Sequence, residues 1–233
     1  MMSKQKTAVS AAINAILFLA TTAVVISYFF EEPGPLIRNG FESFKFFTTD
    51  SNVLAALGSL VILICDILVL TGKSERLPRW AILFKLIGTV SILVTFTTVL
   101  FLLIPYYGLG EMLGGKAFHM HFAAPIMSFL SLILLEKDSR LPKKAALLGL
   151  LPTILYGTVY LTEVVIIGQE NGGWWDFYQF NAGGRWYLSI ILMLLLTFIL
   201  GFVTILLYNI GTPKNKNKLP AKQETDTKKQ TRS

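Results

Sequence analysis

Two short polar segments of this sequence bring hydroxyl and imidazole groups into otherwise apolar surroundings. The first is the run Thr48–Asn52, which reads TTDSN, and the second contains His119 and His121. A hydroxyl becomes a nucleophile when an adjacent base takes its proton, and neutral imidazole suits that role at physiological pH. The two segments therefore provide a hydroxyl nucleophile and an imidazole base for hydrolytic chemistry.

A second group of polar residues lies in the last third of the chain. Tyr156, Tyr160 and Glu163 follow the spacing i, i+4, i+7 and so share one helix face. Asp176 and Tyr178 lie in the aromatic segment that follows. Polar and ionisable side chains at membrane depth are costly, so each of them marks a candidate functional site.

The same residues also have structural interpretations. The run Thr48–Asn52 is typical of a helix N-terminus, because Thr, Asp, Ser and Asn all cap helices. A histidine at the mouth of a span can donate a hydrogen bond to another helix, and Glu163 can pair with Arg185. For Asp66 and Lys85, a structural pair or side chains that reach to the membrane surface are favoured over a functional site.

The composition indicates that these residues belong to a membrane protein. Hydrophobic residues make up 53% of the 233 positions, charged residues 15%, and the mean hydropathy is +0.59. Soluble domains carry roughly 25% charged residues. Apolar blocks of about 20 residues have the length of membrane-spanning helices and lack the alternation of barrel strands. We predict an all-α membrane protein, a six-transmembrane-helix bundle.

The apolar blocks and the intervening charged loops define the predicted organisation. Residues 1–210 form the six-helix domain, and residues 211–233 form a disordered basic cytoplasmic tail. The six spans are predicted at about residues 8–30, 51–70, 80–104, 118–135, 145–167 and 186–208.

Lysine and arginine in the flanks predict the orientation. Nine lie on one side of the predicted membrane even without the tail, and four lie on the other: Lys4, Lys6, Lys73, Arg76, Arg79, Lys137, Arg140, Lys143 and Lys144 against Arg38, Lys45, Lys116 and Arg185. The positive side faces the cytoplasm. Both termini are therefore predicted to be cytoplasmic in a multi-pass protein of the plasma (cell) membrane, and the polar segments lie toward the outer leaflet. Part of the net charge of +7 lies in the tail, which predicts contact with anionic inner-leaflet lipids rather than with nucleic acid.

Short motifs in these segments resemble a known family. The pattern Phe-Thr-x-x-Ser-Asn, from Phe47 to Asn52, opens the second span, and His121 with Pro125 opens the fourth. In this the sequence resembles the six-span androgen-induced and androgen-dependent membrane hydrolases of animals, and more closely their bacterial relatives. The resemblance covers roughly residues 8–208.

The resemblance implies hydrolysis of lipid (fatty-acid) esters without a cofactor, and a Thr/His-dependent acyltransferase stays open beside the hydrolase. It makes Thr48 the nucleophile and His121 the base, with Thr49 and His119 as the alternatives in each role. No metal is implied, because two histidines at i, i+2 do not share a helix face. Supporting or binding roles fall to Asp50, Asn52, His119, Tyr156, Tyr160, Glu163, Asp176 and Tyr178.

Triad logic assigns two of these supporting roles. Glu163 or Asp176 would hold the histidine tautomer, and Asn52 or a tyrosine hydroxyl would donate to the oxyanion. The expected partners are membrane lipids and a lipid-ester or other amphipathic substrate. Two other functions stay open from the sequence: a proton-linked transporter or ligand-binding membrane protein, with Glu163 and His121 as proton-linked groups, and a non-catalytic membrane scaffold.

Overall fold

The computed structural model describes residues 3–30 and 40–212 of the chain. Six helices in these ranges are long and apolar enough to cross a membrane, which confirms the predicted six-helix architecture. They are α1 (Lys4–Ser27), α2 (Phe47–Leu70), α3 (Arg79–Tyr107), α4 (Gly115–Leu134), α5 (Lys143–Ile167) and α6 (Trp186–Asn209). Short helical turns at Gly40–Lys45, Leu109–Leu113, Gln169–Asn171 and Ala182–Gly184 lie between them. All but two residues of the predicted tail, 211–233, lie outside the described residues.

Helices α1 and α2 begin about four residues earlier than the hydropathy predicts, and each early start has an identifiable cause. The Ser3 side chain caps α1 by accepting the Lys6 N–H at 3.3 Å. The first N–H of α2, that of Phe47, donates to the Tyr178 hydroxyl at 3.0 Å. The run Thr48–Asn52 therefore lies inside α2, and its predicted capping role is wrong.

The two ends of the bundle differ in chemistry. We call the end with the loops 71–78 and 135–142 the basic end, and the end with the segments 108–114 and 168–185 the aromatic end. At the aromatic end three spans contain a π-helical stretch: Val99–Leu103 in α3, His119–Ala123 in α4 and Thr162–Ile167 in α5. Such stretches are frequent at functional sites because they redirect side chains.

Helices α2 and α3 approach each other at backbone distance. A Cβ at Gly88 would lie 2.8 Å from the Cα of Ala55 and 2.9 Å from the Leu54 carbonyl oxygen. Small residues permit this close approach, which is a common basis of helix association in membranes.

The face of α1 that packs into the bundle is mostly polar. Its buried residues are Thr7, Ser10, Asn14, Leu17 and Thr21, at alternating spacings of three and four. Leu17 is the only large apolar residue among them. Other apolar side chains of α1, such as Ile16, Leu19 and Ile26, are exposed on the outer face, where lipid is their natural environment.

Candidate active site

A cavity of about 490 Å³ opens at the aromatic end between α2, α4 and the loops. Thr48 and Thr49 of α2 line it together with His121 of α4. The predicted nucleophiles and the predicted base therefore border a common space. No direct hydrogen bond joins these three side chains in the described part of the chain.

The His121 ring has a defined tautomer. Its Nδ1 lies 2.6 Å from the carbonyl oxygen of Met112, in the turn that precedes α4. A carbonyl oxygen only accepts hydrogen bonds, so Nδ1 carries the proton and Nε2 keeps a lone pair. The expectation that Glu163 or Asp176 holds this tautomer is wrong, because the backbone of Met112 fills that role.

His119 points to a different part of the bundle. Its Nε2 lies 2.9 Å from the Thr21 hydroxyl of α1, which is itself buried. His119 does not line the cavity that His121 lines. The interhelical hydrogen bond that the sequence suggested for a histidine therefore belongs to His119.

Thr48 lies at the boundary between two environments. A second cavity, of about 140 Å³, lies between α3, α5 and α6 and is surrounded mainly by apolar side chains such as Val94, Val99 and Met193. Thr48 and Tyr178 line both cavities. Thr48 therefore borders the cavity that His121 lines on one side and the smaller apolar pocket on the other.

The Tyr178 phenol is the remaining polar group beside Thr48. Its oxygen accepts the Phe47 N–H, and the Thr48 hydroxyl is its neighbour. Tyr178 lies between α5 and α6, and burial raises the pKa of its phenol, so the hydroxyl stays protonated at neutral pH. The Tyr156 hydroxyl is its other side-chain neighbour.

Tyr160 and Asp176 hold the loop between α5 and α6. The Tyr160 hydroxyl donates to Asp176 Oδ1 at 2.7 Å and accepts the Tyr178 N–H at 3.0 Å. Asp176 also accepts the N–H groups of two loop residues, Phe180 and Asn181. These bonds fix the position of Tyr178 against the cavity, and Tyr156 anchors the segment before α2 by donating to the Lys45 carbonyl at 2.6 Å.

Asn52 connects α2 to α4 beside the cavity. Its Nδ2 donates to the carbonyl oxygens of Thr48 at 2.8 Å and Met120 at 3.0 Å. Both amide protons are therefore used, and the predicted oxyanion role of Asn52 is wrong. The bond to Met120 lies next to His121 and sets the position of that π-helical turn relative to α2.

Two further predicted residues lie away from the cavity. Asp50 lines a separate space of about 280 Å³ beside Pro152 and Trp174. Glu163 lines none of the three cavities, and it forms no ion pair with Arg185 in the described residues.

Sequence reasoning missed a second polar cluster, near the basic end. Lys85 does not reach to the membrane surface: its side chain is fully buried and its ammonium group donates to Asn14 and Ser59. The predicted structural pair with Asp66 is not a direct ion pair in the described ranges, although the two groups act on each other through their charges. One sequence pattern could have indicated this cluster. Thr7, Ser10, Asn14 and Thr21 recur along α1 at the spacing of one helix face, which is typical of a helix whose buried face is polar.

No known protein family, curated protein or solved structure matches this chain. The resemblance to the androgen-induced and androgen-dependent hydrolases therefore stays a prediction.

Proposed function

We propose that this protein is an integral membrane hydrolase of lipid esters, with Thr48 as nucleophile and His121 as base. One observation carries the proposal: Thr48 borders both the cavity that Thr49 and His121 line and a separate apolar pocket. An amphipathic ester needs this combination, since its acyl chain leaves the lipid for an apolar pocket while its carbonyl meets polar groups and water.

The reaction follows from the positions of the protons. Thr48 Oγ bonds to the ester carbonyl carbon while its proton passes to Nε2 of His121, and the Tyr178 hydroxyl donates to the developing oxyanion. When the bond to the alcohol oxygen breaks, His121 returns the proton to that oxygen and the acyl group remains on Thr48. Water then attacks the acyl-threonine with His121 as base, and the free acid leaves.

The proposal includes an orientation in the cell membrane. The excess of Lys and Arg at the basic end supports cytoplasmic termini. The cavity would then open toward the outer leaflet, where lipid enters from the side and water enters from outside. Anionic lipids of the inner leaflet would contact the basic tail.

Covalent labelling tests the nucleophile. The purified protein is expected to react with a fluorophosphonate probe, and Thr48→Ala is expected to lose the label while Thr48→Ser keeps it. Thr97→Ala is the matched control, because the Thr97 hydroxyl donates to the Leu93 carbonyl within α3 and lines none of the cavities. Label retained in Thr48→Ala but lost in Thr49→Ala would move the nucleophile by one residue. Label retained when Thr48→Ala and Thr49→Ala are combined in one protein would refute the proposal.

A further inference from the structure

A cluster of charged side chains is buried near the basic end, away from all three cavities. Asp66 of α2, Lys85 of α3 and Glu136, which follows α4, each have 0% of their surface exposed. None of them lines a cavity described above. The hydrolytic mechanism uses none of them, although charges at membrane depth are costly to keep.

Two of the three charges are linked through an amide. The Lys85 ammonium donates to Asn14 Oδ1 at 2.8 Å and to Ser59 Oγ at 2.6 Å. Asn14 Nδ2 in turn donates to Glu136 Oε1 at 2.8 Å, and the Ser131 hydroxyl donates to the same oxygen. An acceptor of two donors is stabilised as a carboxylate. Glu136 therefore supplies the negative charge that balances Lys85.

Asp66 is the third ionisable group of the cluster, and it accepts no hydrogen bond. Both of its carboxyl oxygens are buried without a hydrogen-bond partner, whereas Glu136 lacks a partner at Oε2 alone. The Ser10 hydroxyl lies beside the carboxyl group without the geometry of a hydrogen bond. Because Glu136 balances the charge of Lys85, an ionised Asp66 would leave one uncompensated negative charge in a low-dielectric interior. A buried carboxylate in that position binds a proton and becomes neutral. A bound proton is the ligand that needs no additional space.

The surrounding titratable groups are few. Lys85 and Glu136 act on Asp66 through their charges, and Cys65 is its chain neighbour. From α6, Tyr208 donates its hydroxyl to the main-chain carbonyl of Glu136 at 3.2 Å. In this set Glu136 is the other carboxyl group.

We propose that Asp66 is a proton-binding site, which takes and releases a proton at the basic end while Lys85 and Glu136 keep fixed, opposite charges. Asp66 lies four residues before the end of α2 at Leu70. At 1.5 Å per residue this is about 6 Å of helix. A small opening of the basic end therefore brings water to the site. This inference is independent of the proposed hydrolase.

Infrared difference spectroscopy of the full chain in liposomes, titrated with pH, tests the site. The expected result is a carboxylic C=O band that disappears as the pH rises and shifts in D₂O. Asp66→Asn is expected to fold, because a neutral amide replaces a neutral acid, and to lose this band. Asp138→Asn, which changes a partly exposed acid at the same end, is the control and is expected to keep it. A band that survives Asp66→Asn, or no titrating band at all, overturns the proposal.

Two further variants test the charge balance and keep the proposal falsifiable if Asp66→Asn does not fold. In Glu136→Gln, Lys85 loses its counter-charge, so Asp66 is expected to ionise and the band to move to lower pH or vanish. In Lys85→Met, both acids are expected to bind protons and the band area to rise about twofold. An unchanged band in both variants contradicts the assignment.

Discussion

His119 and His121 lie on one π-helical turn, yet they contact different parts of the bundle. His119 bonds to Thr21 of α1, whereas His121 lines the cavity and donates to the Met112 carbonyl. The two rings have the same chemistry and nearly the same depth. They therefore form an internal comparison between a structural histidine, His119, and the proposed catalytic histidine, His121.

We predict that His121→Ala lowers kcat/KM for ester hydrolysis by about 10²–10⁴-fold, the usual contribution of a general base. His119→Ala is expected to change kcat/KM little and to lower the thermal stability, because it leaves the buried Thr21 hydroxyl without its partner. Steady-state assays and thermal unfolding of both variants measure these effects. Equal losses of activity would contradict the separation of roles.

At the level of single residues, the sequence indicates candidate site residues but not what their side chains contact. Thr48 and His121 were predicted as site residues from their motifs, and the structure brings them to one cavity. The partner of the His121 ring is a backbone carbonyl, which has no residue-type signature. Lys85 was misread for a related reason, since Asn14 lies 71 positions away and only the fold brings the two together.

At the scale of elements, the contact between α2 and α3 depends on the absence of a side chain at Gly88. We predict that Gly88→Ala destabilises the protein by about 1–3 kcal/mol, because the added methyl group meets the α2 backbone rather than a flexible side chain. Reversible unfolding in detergent micelles measures the loss.

Gly157→Ala is the matched control in another membrane helix. A Cβ there meets no atom within 4 Å, so only the helix propensity changes, and stability is expected to rise by at most about 1 kcal/mol. Equal effects of the two substitutions would show that backbone proximity at Gly88 does not matter.

The elements themselves were largely predictable, because an apolar block of spanning length has few alternatives in a membrane. The helix ends were less so. The start of α2 depends on the Tyr178 hydroxyl, which comes from a loop 131 positions further along the chain. The π-helical stretches in α3, α4 and α5 were not predicted either, because they reflect how neighbouring helices fit rather than a local residue pattern.

At the scale of the whole molecule, the asymmetry between the ends predicts a fixed orientation. Lys73 lies in an exposed loop of the basic end, and Glu170 is exposed at the aromatic end. In a Cys65→Ala background, we expect a membrane-impermeant maleimide to label Glu170→Cys in intact cells and Lys73→Cys only after permeabilisation. Cys65 is 7% exposed, so little labelling of its thiol is expected, and the Cys65→Ala background excludes it entirely. The reverse labelling pattern would invert the proposed topology.

The polar inner face of α1 also bears on how the chain is made. On the ribosome, α1 is synthesised before α2, α3 and α4, so Asn14 and Thr21 reach the bilayer when Lys85, Glu136 and His119 do not yet exist. Released into lipid at that stage, the helix would expose its amide and hydroxyls to hydrocarbon. We therefore expect nascent α1 to remain in contact with the translocon or an intramembrane chaperone until the fourth span has been translated.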